Sequence, residues 1–185
     1  KYLLSIPEID ADLYEQYNHT PLITAITNFN MPMINLLLDY YGEKIESQTW
    51  QLNIAIEGIL EKIYENEYEK NHFSRYIADK PVIINHQKVL NVIKRLLEIK
   101  NIDLNYHSRK YTLLTFACKA NDYDLVKMLV ESNNVDINSY APNNGNTPLM
   151  VVIENKNLEI AKLLIQSPRI NINLRNYKKE TALTL

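Results

Sequence analysis

The chain has 185 residues, of which 46% are hydrophobic and 23% are charged, and its formal net charge is -2 at pH 7. This composition argues against a disordered chain, and the length suffices for one ordinary globular core. A charge so close to zero gives no electrostatic reason to expect nucleic acid or an anionic membrane as a partner.

The sequence also bears on the compartment. It contains no apolar run of about 18 residues, which a membrane-spanning helix requires, and its first residues show no signal-peptide pattern. The single cysteine, Cys118, excludes an internal disulfide framework and fits a reducing environment. We therefore predict an intracellular, cytoplasmic protein without membrane insertion.

A short motif recurs along the chain at a nearly constant interval. It consists of a threonine followed two residues later by a leucine, and its regular copies begin at Thr112, Thr147 and Thr181. An earlier copy begins at Thr20. Aliphatic blocks follow the motif at residues 33–38, 125–130 and 160–165. The period of about 34 residues falls within the range of about 20 to 50 that marks a repeat architecture.

The repeating unit predicts a pair of short helices. The Thr-Pro pairs at 20–21 and 147–148 suit helix starts, because a threonine hydroxyl can accept from an unpaired backbone N–H and proline needs none. We predict an inner helix over 148–155 and an outer helix over 158–166. Asparagine-containing breaks separate the helices of each pair. Only three glycines occur, so we expect asparagine to take left-handed positions that glycine usually takes.

A short polar segment connects one predicted helix pair to the next. The segment over 138–147 contains Asn144-Gly145, a strong hairpin-turn signal. The equivalent segment over 173–181 has no glycine, which leaves its turn geometry open. Helices this short are marginal in isolation, so stacked copies must bury a shared apolar layer.

This unit resembles the ankyrin repeat. The sequence NTPLMVVIENKNLEIAKLLI at residues 146–165 matches the family pattern at its Thr-Pro-Leu, Leu-Glu-Ile and Lys-Leu-Leu positions. The resemblance covers nearly the whole chain and implies an all-α solenoid of stacked helix-turn-helix units with short hairpin loops. The usual interhelical glycine is missing in every copy. The family's histidine after Thr-Pro-Leu is also replaced, so we expect its bridge between repeats to be absent or altered; the replacements are Ile23, Thr115, Met150 and Thr184.

We predict a single ankyrin-repeat domain over residues 1–185. Its parts are the end of a preceding repeat with its hairpin (1–18), repeats over 19–48, 49–105, 106–138 and 139–173, and the start of a further repeat (174–185). Residues 3–13 align with 164–174 without a gap, so we expect an interior slice of a longer array. The second repeat carries an insertion near 58–86, either a tolerated excursion or a partner-binding projection.

The sequence presents no catalytic, cofactor-binding or metal-binding constellation. Its four histidines are scattered, and Cys118 occupies a position where the family uses a small buried residue. The acidic run between 57 and 69 is typical of the solvated side of a helix. We therefore predict no enzymatic activity, no cofactor and no metal.

Ankyrin repeats are generally non-catalytic modules that bind proteins on a concave face of hairpin tips and inner-helix ends. Tyrosines in several hairpin segments suit such contacts, although they could equally pack on the next hairpin. The resemblance implies the following candidate contact residues: Tyr14, Gln16, Tyr17, His19, Thr27, Asn28, Tyr106, Ser108, Arg109, Tyr111, Lys119, Ala120, Asn143, Asn144, Asn146, Glu154, Asn155, Arg175, Tyr177 and Lys178.

Three functions are open at this point. The first is a non-catalytic, monomeric scaffold that binds a protein or an extended peptide. The second is a targeting or regulatory segment of a larger enzyme whose catalytic domain lies outside this chain. The third is an architectural spacer. The sequence identifies no partner.

Overall fold

The structure, a computed structural model, describes residues 20–41, 52, 56, 86–99, 104–105 and 111–185. The regular elements within these ranges are all α-helices, so the predicted all-α class is confirmed. The helices are α1 (Pro21–Thr27), α2 (Met31–Tyr41), α3 (His86–Leu97), α4 (Leu113–Lys119), α5 (Tyr123–Glu131), α6 (Pro148–Glu154) and α7 (Leu158–Ile165).

The chain divides into two compact units, which are described separately. Unit 1 consists of Lys1–Ile45 with Ile54–Glu98, and unit 2 consists of Glu46–Asn53 with Ile99–Leu185. Several sequence predictions lie outside the described residues, namely the half-repeat at 1–18 and nearly all of the insertion at 58–86.

In unit 1, helices α1 and α2 form a packed pair. The Thr20 hydroxyl accepts from the backbone N–H of Ile23 at 3.3 Å, and Pro21 occupies the first turn, as predicted. Helix α3 begins at His86 and buries one apolar stripe, to which Val89, Ile93 and Leu96 belong. Arg95 links α3 to α2, because its guanidinium donates to Asn35 at 3.0 Å and to Asp39 at 2.8 Å.

Unit 2 contains two helix pairs in register. The inner helices α4 and α6 pack against each other, and so do the outer helices α5 and α7. Thr112 and Thr147 cap the inner helices, while Asp122 and Asn157 cap the outer helices. Equivalent residues therefore cap the helices of both pairs, and the repeat seen in the sequence corresponds to a repeated structural unit.

The turn between paired helices requires a left-handed residue in all three described pairs. Asparagine takes that position only at Asn121 (φ 57°), whereas Phe29 (φ 54°) and Lys156 (φ 58°) take it in the other two. The expectation that asparagine would replace glycine there is wrong for two of the three turns. The backbone explains why: in each turn an N–H bonds back to a carbonyl five positions earlier, such as Asn157 to Val152 at 3.1 Å, and this closes a Schellman-type cap whatever the side chain.

The bridge usually made by histidine is altered, as expected. Thr115 accepts from the backbone N–H of Thr112 at 2.7 Å, which completes a capping box. The hydroxyls of Thr112 and Ser139 lie 3.0 Å apart, so the inner-helix start is tied to the loop that follows the same repeat. At Met150 the thioether sulfur takes the equivalent place, 3.4 Å from the backbone N–H of Thr147.

Candidate protein-binding surface

The described part of the predicted contact surface lies mainly in unit 2. It combines the ends of inner helices α4 and α6 with the tips of the two loops at 139–147 and 174–181. We call these residues the candidate surface, and they are Lys119, Ala120, Asn143, Asn144, Glu154, Asn155, Arg175, Tyr177 and Lys178.

Hydrogen bonds join the ends of the two inner helices. The side-chain amide of Asn155, at the end of α6, donates to the backbone carbonyls of Cys118 and Lys119 at 3.0 and 3.1 Å. The last carbonyls of a helix have no partner in its regular ladder. The Cys118 carbonyl accepts from the Asn121 backbone N–H at 3.1 Å, and Asn155 adds a donor to it and another to the Lys119 carbonyl. Asn157 adds a 3.2 Å bond to the Asn121 side chain. Neighbouring repeats are therefore held together at this edge.

The two loop tips are joined as well. The backbone N–H of Tyr177 donates to the carbonyl of Asn144 at 3.1 Å. Beside this bond, Gly145 has a φ of 72°, and a Cβ added there would lie 2.6 Å from Cδ1 of Tyr177. The tyrosine ring therefore lies on the bare glycine backbone, and yet 68% of Tyr177 is exposed. Glycine is required here both by the left-handed backbone and by the approach of the ring.

Lys179 resolves the turn geometry that the sequence left open. It has a φ of 66° in the loop at 174–181, one repeat after Gly145. The two loops thus share a left-handed residue at the equivalent position, although only one of them uses glycine.

Asn146 does not belong to the candidate surface, contrary to the sequence prediction. It is 1% exposed. Its amide donates to Glu154 at 2.9 Å, and its carbonyl oxygen accepts from Asn176 at 2.9 Å. A buried amide needs such partners, and both ends of this one are used within the fold. Asn146 therefore stabilises the two loops through these hydrogen bonds, and its burial leaves it inaccessible to a partner.

Asn176 is a structural determinant that the sequence analysis missed. It is 7% exposed, and its amide donates to Asn146 and to Glu180. Its oxygen accepts from the backbone N–H groups of Lys178 and Glu180, both at 3.0 Å. These bonds fix the loop that presents Tyr177. Asparagine is abundant in this chain, so composition gives no signal that separates Asn176 from the others.

The tyrosines near the loops divide between the two roles left open by the sequence. Tyr111 is half-buried and packs edge-to-face on Phe116, with ring centroids 5.9 Å apart. By contrast, Tyr177 is largely exposed, and Tyr140 is 41% exposed. Tyr111 therefore has a packing role and Tyr140 offers aromatic area to solvent, whereas Tyr177 does both, because its exposed ring lies on Gly145 of the preceding loop.

Exposed charge on the candidate surface is mostly positive. Lys119, Arg175 and Lys178 are exposed. Glu154 is also exposed, but it already accepts a hydrogen bond from Asn146. A partner that covers these loops would therefore meet cations and one tyrosine ring.

Two candidates lie in unit 1, at the end of α1. Thr27 donates from its hydroxyl to the Ile23 carbonyl at 3.0 Å, and Asn28 donates from its amide to the Thr24 carbonyl at 2.9 Å. Both bonds lie within the same helix end, so these side chains close α1. The other candidates fall outside the described residues: Tyr14, Gln16, Tyr17, His19, Tyr106, Ser108 and Arg109.

The described residues offer little reactive or metal-binding chemistry. No three His, Cys, Asp or Glu side chains gather there at metal-binding distance. Complete burial raises the pKa of the Cys118 thiol, because the apolar surroundings disfavour the thiolate. A thiol of this kind is a poor nucleophile. None of the described helices combines the length and the apolar character needed to cross a membrane.

Comparison with known proteins identifies a family and shows a likeness to solved structures. The family model for ankyrin repeats, in three copies, matches residues 82–176, more than half of the chain. The chain is also similar to the crystal structure of the ankyrin repeat domain of Bcl-3, described as a unique member of the IkappaB protein family. Identity is 20%, with 89% of this chain and 78% of that chain covered, and the TM-score is 0.47. No curated protein matches the chain.

Proposed function

The chain belongs to the ankyrin repeat family, and from this premise we propose that it is a non-catalytic module that binds a partner protein or peptide. Ankyrin repeats are generally protein-interaction modules and are usually found inside cells. We propose the same location for this protein and a monomeric state. The proposed contact region is the candidate surface.

The observation that carries the proposal is the mutual bonding of neighbouring repeats at this surface. Asn155 ties the ends of two inner helices together, and the bond from Tyr177 to Asn144 ties the two loop tips. Side chains on such a support lose little further freedom when a partner binds, which lowers the entropic cost of association. A fixed, exposed tyrosine is also among the residue types that most often dominate binding energy.

The shape and chemistry of the candidate surface favour a macromolecular partner. Its exposed groups are spread over two loops and two helix ends, and they include one aromatic ring and several charges. A folded protein surface or an extended chain can contact all of them at once, whereas a small metabolite would touch only a few.

Affinity capture with matched variants tests the proposal. The intact chain and its Tyr177→Ala variant are immobilised, and proteins retained from a lysate of the source cells are quantified by mass spectrometry. Tyr40→Ala is the control, because Tyr40 is 44% exposed and lies on helix α2 of unit 1, which contributes no residue to the candidate surface. We expect Tyr177→Ala to reduce the amount of a specifically retained protein at least about tenfold, because one hot-spot contact is lost.

Circular dichroism must show that both variants remain folded. Equal retention by the intact chain and Tyr177→Ala would place the contact surface elsewhere. An equal loss in Tyr177→Ala and Tyr40→Ala would show that the retained protein recognises exposed tyrosine in general and not this surface.

A further inference from the structure

The loop at 174–181 differs in charge from the equivalent loop one repeat earlier. The earlier loop, at 139–147, contains no charged residue, whereas the later loop carries three cations. Lys178 and Lys179 stand one period after Asn144 and Gly145. The two loops therefore present different chemistry to solvent from equivalent positions. We call the cations of the later loop, Arg175, Lys178 and Lys179, the basic tip; Lys179 adjoins the candidate surface, and the other two belong to it.

Hydrogen bonds within the loop hold the basic tip together. The backbone N–H of Asn176 donates to the Glu180 carbonyl at 2.9 Å, and the N–H of Lys179 donates to the Asn176 carbonyl at 2.9 Å. The segment over 176–180 thus closes on itself, with Arg175 directly before it. Like charges attached to so short and closed a segment repel one another. An anionic partner would be attracted to the basic tip and would also relieve this repulsion.

The charge of the basic tip is not neutralised within the described part of the protein. All three side chains are exposed, and the ion pairs found among the described residues are those of Arg95 in unit 1. The acidic side chains of the loop and of the inner-helix end, Glu180 and Glu154, have other partners. Glu154 accepts from the amide of Asn146 at 2.9 Å, and Glu180 accepts from the amide of Asn176 at 3.0 Å. Both carboxylates thus bind donors of the fold and not the cations of the tip.

Lys179 occupies a backbone position that favours glycine. Its φ is 66°, close to the 72° of Gly145 at the equivalent position. A side chain in this left-handed region costs stability that glycine does not. The lysine side chain makes no hydrogen bond or ion pair with the described residues. The observed fold therefore does not use this charge, and strain retained at such positions is typical of functional sites.

The ring of Tyr177 adds apolar area between the cations. It lies between Arg175 and Lys178 in sequence, is 68% exposed and rests on Gly145. An extended peptide can place carboxylates beside the cations and an apolar side chain on the ring at the same time. Charge-driven binding of nucleic acid needs a broad basic surface, whereas this chain has a net charge of -2. The combination favours an acidic peptide.

We propose that the partner contacts the candidate surface through an extended acidic segment, whose Asp and Glu carboxylates bind the basic tip and whose apolar side chains cover Tyr177. This inference rests on the proposed function and specifies the chemistry of the partner. Arginine can bind a carboxylate through two parallel hydrogen bonds, and lysine binds one as a point charge. Because the cations are exposed, the attraction must weaken as salt screens it.

Fluorescence anisotropy with two labelled peptides tests the proposal. The acidic probe consists of three Glu-Leu-Glu-Ser units, and the neutral probe has glutamine in place of every glutamate. In about 50 mM sodium chloride we expect the intact chain to bind the acidic probe at least about tenfold more tightly than the neutral probe. The ratio should approach one as sodium chloride rises to about 0.5 M.

Two double variants with the same change in net charge locate the contact. Lys178→Gln with Lys179→Gln should weaken binding of the acidic probe at least about fivefold and leave the neutral probe unchanged. Lys127→Gln with Lys162→Gln is the control, because both lysines are exposed on outer helices α5 and α7, which contribute no residue to the candidate surface. The control should change binding less than about twofold. Both double variants should melt within about 1 °C of the intact chain.

The possible results decide the proposal. An acidic probe that binds no more tightly than the neutral probe overturns it, and so do equal effects of the two double variants. Tighter binding of a labelled twelve-residue oligothymidylate than of the acidic probe also overturns it, because the basic tip would then recognise a phosphate backbone.

Affinity capture separates this inference from the proposed function. Retention of a protein that is lost in Tyr177→Ala but unchanged in Lys178→Gln with Lys179→Gln overturns only the acidic segment and leaves the proposed protein-binding module in place. Retention that neither change affects places the contact surface elsewhere, and both proposals then fail. Loss of retention in both variants, together with the expected peptide binding, supports both.

Discussion

Two arginines link neighbouring outer helices, one in each unit, and they do so by different chemistry. In unit 1, Arg95 reaches from α3 to the side chains of Asn35 and Asp39 on α2, and Asp39 is 72% exposed at its side chain. In unit 2, Arg169 lies beyond α7 and donates only to backbone carbonyls at the end of α5. Arg95 thus binds exposed side chains, whereas Arg169 binds backbone carbonyls at and beyond the end of a helix.

The acceptors decide how much each arginine matters. The carbonyls that Arg169 binds belong to Val130, Ser132 and Val135, at 2.5, 2.9 and 2.9 Å, and both valines are buried. Carbonyls at a helix end need a partner, and because these three bonds are part-buried, water has limited access to replace the arginine. In unit 1, by contrast, water can take the place of Arg95 beside the exposed Asp39 carboxylate at little cost in free energy. A link to the backbone therefore holds repeats together more firmly than a link between exposed side chains.

The largest effect is expected from Arg169→Met. The change keeps the aliphatic stem but removes donors to three carbonyls, two of them on buried residues, so we expect the free energy of unfolding to fall by about 3 kcal/mol. Urea unfolding followed by circular dichroism measures this loss. Arg175→Met, at an exposed arginine in the next loop, is the control and should change stability by less than about 0.5 kcal/mol. Equal losses in the two variants would contradict the comparison.

Gly145→Ala extends the comparison to the loop tips. The alanine would be held at a left-handed φ, and its Cβ would meet the Tyr177 ring, so we expect a loss of about 2 kcal/mol in the free energy of unfolding. Removing the ring separates the two causes. In a Tyr177→Ala background the cost should fall to about 1 kcal/mol, the backbone part alone. An unchanged cost would show that contact with the ring contributes nothing.

Asn138→Ala and Asn173→Ala form a matched pair at equivalent positions. The Asn138 amide donates to the Arg169 carbonyl, and its oxygen accepts from the Asn171 backbone N–H, both at 2.8 Å. Asn138→Ala breaks both bonds between the two repeats, and we expect it to lower the free energy of unfolding by about 1 to 2 kcal/mol. Asn173→Ala breaks no side-chain bond to the described residues and should stay within about 0.5 kcal/mol. Thermal unfolding of both variants measures the difference, and a larger loss for Asn173→Ala would show that the two bonds of Asn138 do not hold the repeats together.

A smaller effect than that of Arg169→Met is expected from Arg95→Met. Its ion pairs to Asp39 and Glu98 are partly exposed, so we expect a loss of no more than about 1 kcal/mol. Salt screens such pairs, so the difference between the original chain and the variant should shrink as sodium chloride rises to about 1 M. Arg169→Met should keep most of its loss at the same salt concentration. A loss for Arg95→Met as large as that for Arg169→Met would break the comparison between the two links.

The sequence predicted the helices of unit 2 closely. The predicted inner helix over 148–155 is observed as Pro148–Glu154, and the predicted outer helix over 158–166 as Leu158–Ile165. These limits were readable because the capping side chain and the first turn are neighbours in sequence. The candidate surface was predicted less well, since Asn146 is buried and Asn176 was missed. Whether an asparagine faces solvent or a neighbouring loop depends on residues that belong to another repeat.

The sequence by itself therefore determined the period, the helix starts and the apolar layer, because these depend on local hydrogen bonds and on the spacing of near neighbours along the chain. Only the tertiary structure decided which polar groups join the repeats. Arg169 finds its carbonyls in the preceding repeat, and nothing in its immediate sequence indicates them. The left-handed turns at Phe29 and Lys156 were decided in the same way. There the closed turn between two packed helices outweighs the local preference of the residue for another conformation.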